Sequence, residues 1–142
     1  MGEVIDLLQF CGLIELDDGG TLVEEVISIY LEHSAESINQ MKEFLYVLLQ
    51  TAQLFTLLAW LQATEQNDYL NLGQEALRLR NSACAMGAIQ VDALCDQVHV
   101  QCRLGPTSCN DGHGQLEQKI RRLEQENRRA QLWMMEYLEL RH

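Results

Sequence analysis

Apolar positions recur along this chain at steps of three and four residues, and no stretch alternates apolar with polar at every second position. A period near 3.6 belongs to helices, whereas half-buried strands repeat every two residues. The pattern predicts a short first helix over about residues 3–14, with Val4, Leu7, Leu8 and Cys11 on its apolar side. Asp17-Asp18-Gly19-Gly20 breaks it. Thr21 then precedes Glu24 by three positions at the head of an apolar run, the signature of a capping box. From there a stripe runs through Val23, Val26, Ile27, Tyr30, Ile38, Met41, Leu45 and Leu48, with room to continue through Ala52, Phe55 and Ala59. The run Thr64-Glu65-Gln66-Asn67-Asp68 is expected to end this second helix as a turn. A third helix follows over about 68–88 and a fourth over about 89–103. Gly105-Pro106 and Asn110-Asp111-Gly112 mark a loop, and a last helix runs from about Gln115 onward.

The third helix can be read by angle. At about 100° per residue, Leu72, Ala76, Leu79, Ala83 and Met86 fall within roughly 80° of arc and form the core face. Leu77 lies about 160° from Leu79, and Leu70, Gly73, Asn81, Cys84 and Ala88 share its outward side. Leu77 is therefore expected at the surface.

Composition narrows the class. The chain has 142 residues, 47% of them hydrophobic, with a single proline, which suits one helical domain with a real core. Its net charge is −11 and lopsided: residues 1–77 hold 13 acidic side chains against one basic, Lys42, and residues 78–142 hold 8 against 9. An acidic half repels phosphate backbones, so nucleic acid is not an expected partner. The asymmetry serves either solubility or steering toward a basic partner face. Five cysteines, at 11, 84, 95, 102 and 109, form no CxxC pair. With no secretory signal at the N-terminus, a reducing compartment is expected. Cys102, Cys109 and His113 lack the second ligand pair of a zinc site, so no metal is expected. Phe44 to Thr64 is a run of 21 residues without charge, long enough to span a bilayer. Its glutamines and threonines, with only Lys42 flanking it, favour a buried or partner-covered helix extension instead. No GxGxxG, P-loop, HExxH or GxSxG motif is present.

Residues 77–88 read Leu77-Arg78-Leu79-Arg80-Asn81-Ser82-Ala83-Cys84-Ala85-Met86-Gly87-Ala88. This stretch resembles the active-site helix of plant-type histidine-containing phosphotransfer (HPt) proteins, where the pattern runs His-Gln-Leu-Lys-Gly-Ser-x-x-x-Ile-Gly-Ala. The trailing Gly87-Ala88 fixes the register and puts Leu77 where the family carries its phospho-accepting histidine. Leucine has no nucleophilic nitrogen and cannot form a phosphoramidate. Arg80 stands at the position of the family's lysine, Asn81 replaces a glycine that clears room for the partner, and Ser82 matches the next serine. Residues 15–43 are similar to the family's second helix, with His33-Ser34 where the family has Asp-Ser. Residues 77–142 are similar to its last three helices, and Cys95, Cys102 and Cys109 fall near family cysteines. Between the two segments, roughly residues 46–63 have no counterpart.

The resemblance implies an all-α fold: a four-helix bundle with an additional short N-terminal helix and an extended second helix. It divides residues 1–142, one domain, into an N-terminal helix and turn over 1–20, a long helix with an insertion over 21–66, and the remaining bundle helices over 68–142. It also implies a pseudo-HPt protein, which binds receiver domains of sensor kinases or response regulators without relaying phosphate. In plants such proteins oppose cytokinin signalling. The implied docking residues are Gln74, Leu77, Arg78, Arg80, Asn81, Ser82 and Cys84. No catalysis of its own, no cofactor and no membrane partner are expected, and the expected state is a monomer in cytoplasm and nucleus.

Two other readings compete. Leu116, Ile120, Leu123, Asn127, Ala130, Met134 and Tyr137 form a heptad stripe with asparagine at a core position, the pattern of a coiled coil or of an internal bundle helix. Alternatively His33, His99, His113 or His142 accepts the phosphoryl group, although none has a lysine three residues on with a small residue after it.

Overall fold

The computed structural model describes residues 4–16, 21–54, 61–104 and 112–141, and the side chains of 4–16, 21–48, 69–103 and 114–140. These residues form five helices: α1 (Leu7–Leu16), α2 (Leu22–Leu54), α3 (Leu61–Met86), α4 (Ile89–Leu104) and α5 (Gly112–Arg141). Among the described residues there is no strand. The protein is all-α. The long helix α2 packs on α3 and α5, and α4 packs on the same two, so α2 to α5 close a four-helix bundle in which chain neighbours are spatial neighbours.

The core is the one the periodicity implies. Val23, Ile27, Tyr30, Ile38, Met41, Leu45 and Leu48 from α2 are buried, as are Leu72, Ala76, Leu79, Ala83 and Met86 from α3. Val91, Leu94 and Val98 of α4 meet Leu116, Ile120, Leu123, Ala130 and Met134 of α5 in the same cluster. The α5 heptad stripe is thus covered by helices of its own chain.

The α2–α3 hairpin departs from expectation. Thr64 to Asp68 lies inside α3, which starts at Leu61. The stretch has weak helix formers but neither glycine nor proline, so nothing in it forbids helix once its neighbours are helical. The expected helix boundary near residue 66 is therefore displaced toward the N-terminus, and Phe55 and Ala59 lie outside the described residues. Gly112 opens α5 instead of closing the loop before it. Among the described residues no helix is long and apolar enough to cross a membrane.

Helix α1 also differs. Leu7, Leu8 and Cys11, placed on its apolar side, are exposed, while Ile5 and Phe10 are buried. The reason is where the helix begins. Asp6 is its N-cap, accepting from the amide of Leu8 at 3.0 Å, which rotates Ile5 and Phe10 into the staple positions on either side of the cap. The Phe10 ring lies edge-on to Trp133 and Tyr137 of α5, with centroids 4.9 and 5.0 Å away.

Gly87 joins α1 to the bundle. It ends α3 as the left-handed residue of a Schellman stop, with φ of 75°, the Ala88 amide bonded to Ala83 O and its own amide to Cys84 O. Its carbonyl accepts from the Asp6 amide at 2.6 Å. The connection between α3 and α4 is consequently two residues long, Gly87 and Ala88.

A polar group of side chains sets the α2–α5 register. Tyr30 donates to Asn127 Oδ1 at 2.8 Å, and Asn127 Nδ2 donates to Ser34 Oγ at 3.0 Å. Gln131 donates to the same Ser34 hydroxyl and to the Leu31 carbonyl. Burial raises the Tyr30 hydroxyl well above its ordinary pKa, so it stays a donor. At the surface of this interface Lys42 pairs with Glu124. At the N-terminal end of α2, the Thr21 hydroxyl donates to Glu25 at 3.0 Å.

Candidate functional site

The short α3–α4 connection lays one edge of α3 against α4, and two cross-links tie the helices there. One is at Gly73. A Cβ on this residue would lie 3.1 Å from Cys102 Cβ, so the backbones approach closely only because position 73 has no side chain. The Gly73 carbonyl accepts a hydrogen bond from His99 Nδ1 at 3.2 Å. A carbonyl can only accept, so the shared proton sits on Nδ1. The second cross-link is Arg80. Its Nε donates to Asp92 Oδ1 at 3.0 Å, and a terminal nitrogen reaches Asp96 Oδ1 at 3.0 Å. The hydrogen bond to Asp92 first, and the charge of Asp96 next, hold the guanidinium even more firmly protonated than usual.

Leu77 stands four residues after Gly73 and three before Arg80, on the α4-facing edge of the exposed side, between the two cross-links. It is 37% exposed. Gln74, Arg78, Asn81 and Cys84 are exposed as well, and Ser82 is half-buried with its hydroxyl 3.5 Å from the Arg78 carbonyl. Arg78 pairs with Glu75 at 3.0 Å. The exposed stripe is therefore Leu70, Gln74, Leu77, Asn81 and Cys84.

Two residues expected on that side are buried. Gly73 is covered by α4. Ala88 lies past the helix end, where the turn through Gly87 carries it into the core. The helical angle predicts direction from the axis and does not know which neighbour covers a given side.

The Arg80 position changes chemically as well. The resemblance makes it a positive charge for a phosphoryl group, and here two carboxylates already hold that charge. Asp92 and Asp96 were not singled out from sequence. The two-residue connection at Gly87-Ala88 is the signal that could have found them, because it sets α4 antiparallel to α3 and brings the first turns of α4 opposite the last turns of α3.

Beside this face, Tyr69, Leu70, Gly73, Gln74, His99, Cys102 and Arg103 line an open groove between α3 and α4. Burial pushes the Cys102 thiol up to about 12, and burial followed by the charge of Asp92 pushes up that of Cys95. Neither offers a thiolate near neutral pH. Among the described residues no three His, Cys, Asp or Glu side chains gather into a metal-binding group, and Cys109 of the zinc candidate lies outside them. His33 is exposed on α2.

No protein-family model, curated protein or solved structure matches this chain.

Proposed function

We propose that this chain is a phosphorelay docking module without a phospho-acceptor. In this reading it binds receiver domains of sensor kinases or response regulators through the α3–α4 face around Leu77, in the manner of a pseudo-HPt protein. The observation that carries the proposal is Leu77 itself. It is exposed in the middle of a bundle helix, and the family likeness gives its position to the phospho-accepting histidine. A hydrocarbon there offers contact area and no nucleophile.

Two features of the bundle support the reading. The exposed stripe from Leu70 to Cys84 mixes apolar and polar side chains, as a transient interface does. Arg80, the residue that would steady an incoming phosphoryl group, is held by Asp92 and Asp96. Competition for a receiver without relay makes such a module a negative regulator. Cytokinin signalling and residence in cytoplasm and nucleus follow from the same family likeness. The coiled-coil alternative loses its seam, since Leu116, Ile120, Leu123 and Met134 are buried against α2 and α4.

The test is a titration of isolated receiver domains against the intact protein, followed by the same titration with Leu77→Asp. The proposal expects measurable binding that the variant weakens at least about tenfold, as for a contact near an interface centre. Equal binding by both proteins places the interface elsewhere.

A further inference from the structure

The outer sides of α2 and α5 carry opposite charge at matching heights. At about 100° per residue, Glu25, Glu32, Glu36 and Glu43 fall within roughly 40° of arc on the exposed side of α2. On α5, Arg121, Gln125, Arg128 and Leu132 fall within roughly 60° on the exposed side nearest α2, and Arg128 lines the groove between the two helices. Every charge of the stretch enters the balance. Residues 29–43 hold three carboxylates against Lys42, a net −2, and residues 117–135 hold five cations against three carboxylates, a net +2. This face is therefore neutral in a chain that carries −11. Lys42 pairs with Glu124, Arg121 with Glu117 and Arg129 with Glu126, while Lys119 donates to Gln101 of α4. Among the described residues Glu32, Glu36, Glu43, Arg122 and Arg128 make no ion pair.

The bonds between α2 and α5 fix which residues stand level. Ser34 meets Gln131 and Lys42 meets Glu124 in this antiparallel pair. Counting along each helix sets Glu36 level with the turn of Arg128, Glu43 with the turn of Arg121, and Ile29 with Met135. A two-fold axis laid along the groove, parallel to the helices, keeps every residue at its height and puts α2 of one copy on α5 of another. Glu36 and Glu43 then face Arg128 and Arg121 of the second copy, twice over. The same rotation brings Ile29 onto Leu132 and Met135, which keep 61, 54 and 48% of their surface exposed in the single chain. A two-fold axis across the helices would instead set carboxylates on carboxylates. Past Met135 the match ends, because Glu25 comes level with Glu139, and helices crossing at about 20° diverge there. We propose that a second copy of this chain docks on the α2–α5 face in this two-fold arrangement. The surface lies across the bundle from Leu77 and needs nothing from the receiver-docking reading. Residues 29–43 span about 21 Å and two helices side by side are about 20 Å wide, so each copy covers roughly 400 Å² and the dimer is weak and reversible.

The experiment is sedimentation equilibrium of the intact protein, kept reduced because Cys11 and Cys84 are exposed. Concentrations run from about 10 μM to about 1 mM, the range for an interface of this size. The average mass should rise from one chain toward two at low salt, and association should weaken severalfold at about 0.5 M salt, which screens exposed pairs. Two charge reversals locate the face. Glu36→Arg with Glu43→Arg, and separately Arg121→Glu with Arg128→Glu, should each lower the association constant at least about tenfold. An equimolar mixture of the two reversed proteins should regain the dimer, since every acidic row then meets a basic one again. Circular dichroism checks that both variants stay folded, and the concentration and salt series on unaltered protein needs neither. A single-chain mass throughout the range overturns the inference. So does a dimer that salt or both reversals leave unchanged, and so do reversed proteins that stay folded yet fail to pair with each other.

Discussion

The hydroxyl of Tyr30 donates to Asn127 Oδ1 at 2.8 Å in the buried seam between α2 and α5. Asn127 passes its own amide to Ser34, so one asparagine on α5 reads two residues one turn apart on α2. Apolar side chains tolerate sliding between helices, whereas a buried polar pair loses its partners on any other register. The asparagine that looks like a coiled-coil register device in the sequence does that work within one chain.

Asn127→Ala should therefore destabilise the protein by about 2–4 kcal/mol, because it strands the buried Tyr30 hydroxyl as well as opening a void. Asn127→Leu combined with Tyr30→Phe should cost less than the sum of the two single changes. Urea denaturation of the four proteins gives the comparison, and strict additivity would show that the pair is not coupled.

Gly87→Ala should cost at least about 2 kcal/mol and loosen α1. A Cβ there would lie 2.8 Å from the Asp6 carbonyl oxygen, on a residue whose φ is 75°. The readout is hydrogen exchange at the amides of Asp6 to Phe10 alongside global unfolding. Unchanged protection of α1 would mean that Phe10 between Trp133 and Tyr137 holds the helix without help from the turn.

Stability should fall in alkali. Burial raises the thiol pKa of Cys102 to about 12, and that of Cys95 is raised too, against an ordinary value near 9. The folded state keeps these thiols neutral while the unfolded chain ionises them. Their contribution is thus complete below about pH 9 and is lost as pH rises toward 12, at roughly 1.4 kcal/mol per pH unit for each thiol. Tyr30 adds to the loss above its ordinary value of 10.0. Denaturation at pH 8 and pH 10.5 measures the slope, and Cys95→Ala with Cys102→Ala should flatten it.

How much of this was legible in the sequence depends on the interaction involved. The core stripes of α2, α3 and α5 follow from periodicity alone, because burial of one helix side is a property of the helix itself. The exposure of Leu77 follows for the same reason. The α2–α3 boundary does not, since Thr64 to Asp68 carries polar residues that serve equally as a turn or as helix. The burial of Gly73 and the capture of Arg80 by Asp92 and Asp96 are properties of two helices at once. They become readable only after Gly87-Ala88 is recognised as the whole connection between α3 and α4.

Leu77→His should restore part of a phospho-acceptor. The position is exposed, so stability should shift by only about 0.5 kcal/mol. Adding Asn81→Gly should raise phosphoryl uptake further by clearing the neighbouring surface, at a helix cost of up to about 1 kcal/mol. Label taken from a phosphorylated receiver ranks the variants. If neither takes label while both stay folded and bind the receiver, the face around Leu77 is not a relic acceptor site.

The most direct test of the central claim combines binding and chemistry in one tube. Wild-type protein is incubated with a receiver domain, a charging kinase and labelled ATP, and both complex formation and acid-labile label on this chain are followed. The account predicts a complex with the receiver and no label on the protein, because position 77 offers no nitrogen. Stoichiometric acid-labile label would contradict it, and loss of that label on His99→Gln or His33→Gln would identify the acceptor the account denies.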